Sequence, residues 1–354
     1  MGLFSPGHSD GHTREGVLPP PAWEPMIRDT LPQSAAITVP KSFTGTWAAL
    51  GELEQPRNAC DGLGDPALPP DGPRYRPLRV LGRGGSSTVW LVHDLVLDRE
   101  VALKVLSLYE GESPDVRARF LFEARLTGSL QMTGVVPVFD AGLLPDGRCY
   151  YTMRHIAGPS LADAIEARNE RHYGALGTRT LLTVLAQVAQ TVGQAHTQGI
   201  SHRDIKPANI LIGSGGEAFL ADWGLSGPSE AGLPVSASAR PCGGTILSGT
   251  LHYMAPEQLD GDGRHLGPVS DVYSLGACLF EILTGTTPHQ GATTLSLMFQ
   301  VRNVDAPDPR VVAPGADINP ALAALCVSAL SREPRRRHVN ARTLGQRLLQ
   351  ALPT

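Results

Sequence analysis

The run His202-Arg203-Asp204-Ile205-Lys206-Pro207-Ala208-Asn209, followed at short range by Asp222-Trp223-Gly224, constrains this chain more than any other stretch. It supplies a carboxylate, a cation two residues on, an amide side chain and then a second carboxylate. Held near one another, such groups orient a hydroxyl, neutralise a phosphate and hold Mg²⁺. Ile210-Leu211-Ile212 and Ala218-Phe219-Leu220-Ala221 read as a small hairpin that places Asn209 and Asp222 near each other.

Upstream, strand patterns dominate. Leu78 to Leu81 reads as a strand, and Gly82-Arg83-Gly84-Gly85-Ser86-Ser87-Thr88-Val89 leads into a second, Val89 to Val92. A glycine-rich turn between two strands lets backbone N–H groups approach phosphates without interference from Cβ atoms. Val101-Ala102-Leu103-Lys104-Val105-Leu106 is the next strand. A lysine with apolar neighbours on both sides calls for a buried anionic partner. Ser113 and Pro114 mark a helix start as N-cap and N1. Val116, Phe120, Ala124 and Leu130 carry helical spacing down to Gly134. Glu123 lies on this helix and is the best partner for Lys104, ahead of Glu110 and Glu112, which precede it. Val135 to Phe139 and Arg148 to Met153 read as two further strands, turning through Pro145-Asp146-Gly147.

Helical periods follow. Leu181, Leu185, Val188, Val192 and Ala195 share one face, and Gly199 closes that helix. The segment from Asp222 to Glu257 is long and rich in Gly, Ser and Pro, and ends in Gly249-Thr250-Leu251-His252-Tyr253-Met254-Ala255-Pro256-Glu257. Ser270-Asp271-Val272-Tyr273 opens an apolar helix reaching to about Leu283. A carboxylate inside so apolar a helix requires partners. Asn340 is expected to cap the last helix, with Leu344, Leu348 and Leu349 on its apolar side.

With 42% hydrophobic and 18% charged residues, most of the chain can bury a core. The net charge of −4 argues against a general nucleic-acid binder. The five cysteines are scattered and form no C-x-x-C pair, which fits reduced thiols in the cytoplasm. No apolar run reaches the roughly 18 residues of a membrane span. The opening Met-Gly-Leu-Phe-Ser-Pro lacks both a basic leader and the hydroxyl at position 6 that lipidation needs. Residues 1–72, broken by recurrent prolines, are expected to be a disordered extension that the fold does not need.

Taken in order, these segments resemble those of protein kinases. Gly82, Gly84 and Val89 match G-x-G-x-x-G-x-V, with Ser87 at the third glycine. Val101 to Lys104 resembles V-A-I-K, and His202 to Asn209 resembles H-R-D-L-x-x-x-N. Asp222-Trp223-Gly224 stands for D-F-G, and Ala255-Pro256-Glu257 matches A-P-E. Over residues 75–352 the chain is similar to the bacterial eukaryotic-type (Hanks-type) Ser/Thr kinases. The resemblance implies a two-lobed α+β fold, with a small β-rich lobe at 73–155 holding one main helix and a larger helical lobe at 156–352. It implies an ATP-dependent, Mg²⁺-requiring serine/threonine protein kinase acting on protein substrates.

Family roles then carry over by position. Lys104 would hold the α/β-phosphates and pair with Glu123. Asp204 would accept the substrate proton, Lys206 would neutralise the γ-phosphate, and Asn209 and Asp222 would hold Mg²⁺. The glycine-rich residues 82–87, Val89 and Ala102 would surround the nucleotide. Met153 would stand behind the adenine, and Arg154, His155 and Ile156 would offer it backbone groups. Asp271 would hold backbone N–H groups of the catalytic loop, and Arg337 would pair with Glu257. Lys206 and Thr250 point to Ser/Thr preference. Arg203, beside Asp204, calls for an anion, yet Glu230 is the only acidic residue between Asp222 and Glu257. A phosphate on Thr245 or Ser248 would supply it, ahead of Thr250, which the resemblance places at the substrate site. The departures are Ser87, Trp223 for Phe, and Arg154 where relatives often carry an acid. Two other readings stand beside this one, an idle pseudokinase scaffold and a small-molecule kinase. The intact Lys104, Asp204, Asn209 and Asp222 argue against the first, and the A-P-E segment with Asp271 argues against the second.

Overall fold

The computed structural model describes residues 74–107, 114–225, 227–228, 248–259, 267–337 and 340–352. The expected extension at 1–72, the Ser113 cap and Thr245 lie outside them. The first elements form an antiparallel sheet: β1 (Tyr75–Arg83), β2 (Ser87–Asp94), β3 (Arg99–Leu106), β4 (Val138–Leu143) and β5 (Cys149–Arg154). The helix α1 (Pro114–Ser129) lies between β3 and β4 in the chain, and the strand order is β1-β2-β3-β5-β4. The strands are longer than local patterning suggests, because β-branched and aromatic residues on both faces find cover. Trp90, Val92, Val101, Leu103 and Val105 build one small core with Tyr75 and Leu144. Leu106, Cys149 and Tyr151 pack on Phe120 and Ala124 of α1 to build another.

Arg74 ties the entry of the chain to this sheet. Its guanidinium donates to both oxygens of the buried Asp94 (3.1 Å each) and to Asp140 (3.0 Å). Burial would raise the Asp94 carboxyl, but Arg74 and the Val96 amide hold it below its ordinary value.

The rest is mainly helical: α2 (Leu161–Asn169), α3 (Thr178–Thr197), α4 (Ser248–Leu251), α5 (Pro268–Thr284), α6 (Thr294–Asn303), α7 (Pro309–Val312), α8 (Pro320–Ala329) and α9 (Ala341–Gln350). Short strands β6 (Ile200–Ser201), β7 (Ile210–Ile212), β8 (Ala218–Leu220) and β9 (Gly227–Pro228) form two small ladders, β6 with β9 and β7 with β8. The two-lobed α+β architecture is therefore present. The main core gathers α3, α5, α8 and α9 around Leu185, Tyr273, Phe280, Leu325 and Leu344. Gly199 takes φ +74 just beyond α3, the left-handed conformation that stops a helix without strain.

Three expectations are corrected. The helix around Glu123 ends at Ser129 and does not reach Gly134. Its last turn is closed by the Ser129 hydroxyl donating to Leu126 O (2.7 Å), and Leu130 still packs, now from the connection. Gly134 has φ +86 and lies so near Thr191 of α3 that a Cβ would collide with it. The strand expected at Val135 to Phe139 begins at Val138, since Val135 instead bridges in parallel to Leu220. On α9, which Asn340 does cap by accepting from Thr343 N (2.8 Å), Leu344 and Leu348 are buried but Leu349 faces solvent.

Arg337 braces the helical lobe. Its guanidinium donates to Glu257 Oε1 (2.6 Å) and Oε2 (2.8 Å), and to the carbonyls of Ser331, Val269 and Arg332. Both partners are buried, so the pair is held by a full set of donors and acceptors. Arg337→Ala leaves Glu257 buried and uncompensated. We expect a loss of about 3–5 kcal/mol in unfolding free energy, read by chemical denaturation. Arg337→Lys should recover only part of it, because an ammonium cannot form the two parallel bonds. An unchanged denaturation midpoint in the Ala variant would show the pair to be structurally idle.

Candidate active site

The site forms where β3, α1, the loop after β6 and the β7–β8 hairpin meet. The β3–β5 register sets Lys104 opposite Tyr151 and Ala102 opposite Met153. The Lys104 ammonium donates to Glu123 Oε1 (2.6 Å) and to Asp222 Oδ1 (2.6 Å). Tyr151 donates its hydroxyl to the same Glu123 oxygen (2.7 Å). Burial works against the Lys104 charge, but Tyr151, Asp222 and Glu123 together hold its pKa well above the ordinary value. The two carboxylates respond in opposite directions. Burial raises Glu123, and the nearby Asp222 charge adds to this against the pull of Lys104. Burial would also raise Asp222, but Lys104 overrides it and holds that carboxyl far below the usual range. Tyr151 is a partner that sequence reasoning missed, because strand register is not written in local pattern.

The loop from His202 to Asn209 is fixed by α5. Asp271 of α5, fully buried, accepts from His202 N (2.8 Å), Arg203 N (2.7 Å) and His196 Nε2 (2.7 Å). Arg203 takes φ +68, a left-handed conformation that a side chain rarely adopts. Its carbonyl accepts from Gln258 (2.9 Å). Burial pulls the half-buried Arg203 guanidinium below its ordinary pKa. Three residues on, Lys206 Nζ donates to Asp204 Oδ2 (2.8 Å) and to Thr250 Oγ1 (3.1 Å). The segment after Thr250 is pinned to α5: Tyr253 donates to Glu281 Oε2 (2.7 Å), and Ser274 donates to Tyr253 O (2.8 Å).

The hairpin brings Asn209 and Asp222 to the same end, as its Ile210–Leu220 pairing requires. Asn209 Nδ2 donates to Asp204 O (2.9 Å) and Oδ2 (3.2 Å), which commits the amide nitrogen, so that a metal ligand here would be the oxygen. Asp222 uses Oδ1 on Lys104, and its side chain is 45% exposed. An ionised carboxylate and an amide oxygen are hard donors. They fit Mg²⁺, which takes few protein ligands and fills its shell with phosphates and water.

The glycine-rich stretch is tighter than its motif suggests. Gly84 N donates to Ser87 O (2.8 Å), so the turn proper is Gly84 to Ser86. Ser87 already belongs to β2 and is buried, while Gly82, Arg83, Gly84, Gly85 and Ser86 are exposed. Val89 and Met153 are half-buried, Ala102 is buried, and Arg154, His155 and Ile156 follow at the end of β5. Thr245 is outside the described residues, and Ser248 begins α4.

The protein kinase domain family model matches residues 75–348. The serine/threonine-protein kinase PknE of Mycobacterium bovis is 36% identical over 280 residues, covering 79% of this chain and 46% of that protein. PknL of Mycobacterium tuberculosis is 37% identical over 275 residues, covering 77% of this chain and 64% of PknL. PknD of Chlamydia pneumoniae is 33% identical over 280 residues, 75% of this chain and 30% of its own length. The chain thus spans about half the length of PknE.

Trp223 is the clearest local departure, and the structure accounts for it. The indole is fully buried and stands edge-on to His202 at 4.6 Å, while its Nε1–H donates to Leu220 O (3.1 Å). A phenylalanine would keep an aromatic ring beside His202 but lose that bond and leave part of the indole's volume unfilled. Trp223→Phe is expected to cost about 1–3 kcal/mol through the missing bond and the vacated volume. A lower melting temperature together with weaker ADP binding would report this, since Trp223 holds the turn carrying Asp222. Equal stability and equal affinity would show that the indole N–H holds nothing.

Proposed function

The chain belongs to the protein kinase domain family, and from that premise we propose that it transfers the γ-phosphate of ATP to serine or threonine hydroxyls of protein substrates. The observation that carries this reading is the convergence of Asp204, Lys206 and Thr250 on one point, with Asn209 and the Lys104–Asp222 pair beside it. No helix among the described residues is long and apolar enough to cross a membrane. We place the domain in the cytoplasm, where ATP is available and where the buried thiols of Cys149, Cys278 and Cys326 stay reduced.

The reaction is a displacement at phosphorus. The substrate hydroxyl oxygen forms a bond to Pγ, the bond from Pγ to the bridging oxygen breaks, and ADP leaves with that electron pair. The hydroxyl proton passes to the Asp204 carboxylate. Lys206 lies against that carboxylate and offsets negative charge on the transferring group. Lys104, kept cationic by its neighbours, aligns the α- and β-phosphates. Asn209 and Asp222 are the residues that would hold Mg²⁺, which would shield the phosphate charge. Thr250, bonded to Lys206, borders the place of the acceptor side chain. Positioning and charge neutralisation dominate such transfers, so the fixed geometry of the loop is itself catalytic machinery. Asp204→Asn should lower kcat at least about 100-fold while leaving the ATP affinity within about twofold. Wild-type turnover in that variant would remove Asp204 from its assigned role.

The same reading extends to regulation of the loop between Asp222 and Glu257. Burial disfavours the Arg203 charge, and a phosphate would stabilise it by a charge-assisted pair. Autophosphorylation on Thr245 or Ser248 supplies that phosphate. Mass spectrometry of protein incubated with Mg-ATP should locate phosphate on one of these residues, and the double Ala variant should be less active. A fully active double variant, with a wild-type loop that carries no phosphate, would rule this switch out.

A further inference from the structure

Arg154 is the last residue of β5, and its side chain leaves the small lobe. Its guanidinium carbon stands 5.1 Å over the ring centroid of Phe219 in β8. Its Nη2 lies 3.9 Å from Glu217 Oε1, in the turn between β7 and β8. Both contacts are on the hairpin whose open end carries Asn209 and Asp222 together.

Each partner is held in place. The Arg154 backbone N–H donates to Pro137 O (2.9 Å), and the residue pairs with Val101 of β3. Phe219 is buried and pairs with Leu211 across the hairpin. The Glu217 carboxylate folds back over its own turn, where a Cβ at Gly213 or Gly215 would come within 3 Å of it. Those glycines leave room for the carboxylate. Ala218 N donates to Gln187 Oε1 of α3 (2.8 Å), which anchors β8 to the helical lobe. The connection after β5 runs beside β7, with Ile212 N donating to Pro159 O (2.9 Å) and Ser160 bridging to Leu211. One side chain therefore joins the sheet that carries Lys104 to the hairpin that carries the proposed metal ligands.

We propose that Arg154 is a positioning residue, a clasp across the connection between the lobes that sets the separation between the nucleotide-facing sheet and Asn209 and Asp222. The proposal rests on the kinase reading above, and it adds a side-chain role to a residue expected to offer only backbone groups. An acid at this position would face Glu217 and repel it. The ion pair is half exposed and screened by salt, so the stack on Phe219 carries the salt-resistant part of the contact.

The test uses the full chain. Arg154→Ala, Arg154→Lys, Arg154→Glu and the charge-swapped pair Arg154→Glu/Glu217→Arg are compared with wild type. The readouts are kcat, KM for ATP, KM for a serine peptide, the Kd for ADP and the melting temperature. Arg154→Ala should raise the ATP KM and the ADP Kd by about 3–10-fold, with kcat and the peptide KM within about twofold. Arg154→Lys should recover only part of the loss, because it keeps the charge without the planar stack. Arg154→Glu should be worst, and the added Glu217→Arg should bring it back toward wild type. Wild-type nucleotide constants in Arg154→Ala overturn the clasp. So does a uniform loss of all constants that follows the melting temperature, or a swapped pair no better than Arg154→Glu. A wild-type protein without phosphotransfer overturns the kinase reading instead, while the ADP Kd still decides the clasp.

Discussion

The buried carboxylate of Asp271 is the interaction on which the rest of the site depends. A charge with no exposure to water is tolerated only where donors replace the water, and here two backbone N–H groups and a histidine ring do so. The donors come from the loop of His202 and Arg203 and from α3, so the carboxylate welds three segments at one point. Ser270, the preceding residue, faces the other way in function. Its hydroxyl donates to Glu257 Oε1 (2.8 Å), the same carboxylate that Arg337 grips. Two adjacent residues near the start of α5 thus hold the loop of the proposed base on one side and the A-P-E turn on the other.

Much of this was legible in the sequence, for a physical reason. Phosphoryl transfer needs particular charges at particular spacings along short loops, and loop spacing survives in the chain as written. The convergence of Asp204, Lys206, Asn209 and Asp222 and the Lys104–Glu123 ion pair could be read in that way. The fold class was legible too, since strand patterns precede helical ones. What stayed hidden was set by partners distant in sequence. Tyr151 meets Glu123 only because of the β3–β5 register, and His196 meets Asp271 only because α3 and α5 pack together. The end of α1 was misjudged because Leu130 keeps an apolar periodicity that packing outside a helix satisfies equally well. Leu349 was misplaced because α9 buries a stripe narrower than its leucines suggest.

His202 explains why the two halves of the site keep a common geometry. Its Nδ1 accepts the Asp204 N–H (3.2 Å), so the proton of the neutral ring is on Nε2, which donates to Ala221 O (3.1 Å). Burial pushes its pKa down, which favours that neutral form. One ring therefore bonds to the residue of the proposed base and to the residue before the proposed metal ligand. The backbone is left-handed beside it on both sides, with φ +68 at Arg203 and φ +69 at Asp222. Such conformations persist only when surrounding contacts over-determine them. Asp271 fixes the first, through the Arg203 N–H. The second is fixed by Lys104 on the Asp222 carboxylate and by Trp223, whose indole packs on His202 and bonds to Leu220 O. Gly224 completes the arrangement, because any side chain there would strike the Glu123 carboxylate. The strain at Asp222 and the strain at Arg203 are thus linked through a single imidazole. A shift of the Asp222 turn must be felt at Asp204, and the reverse holds as well, because the same ring cannot satisfy one partner while losing the other at no cost.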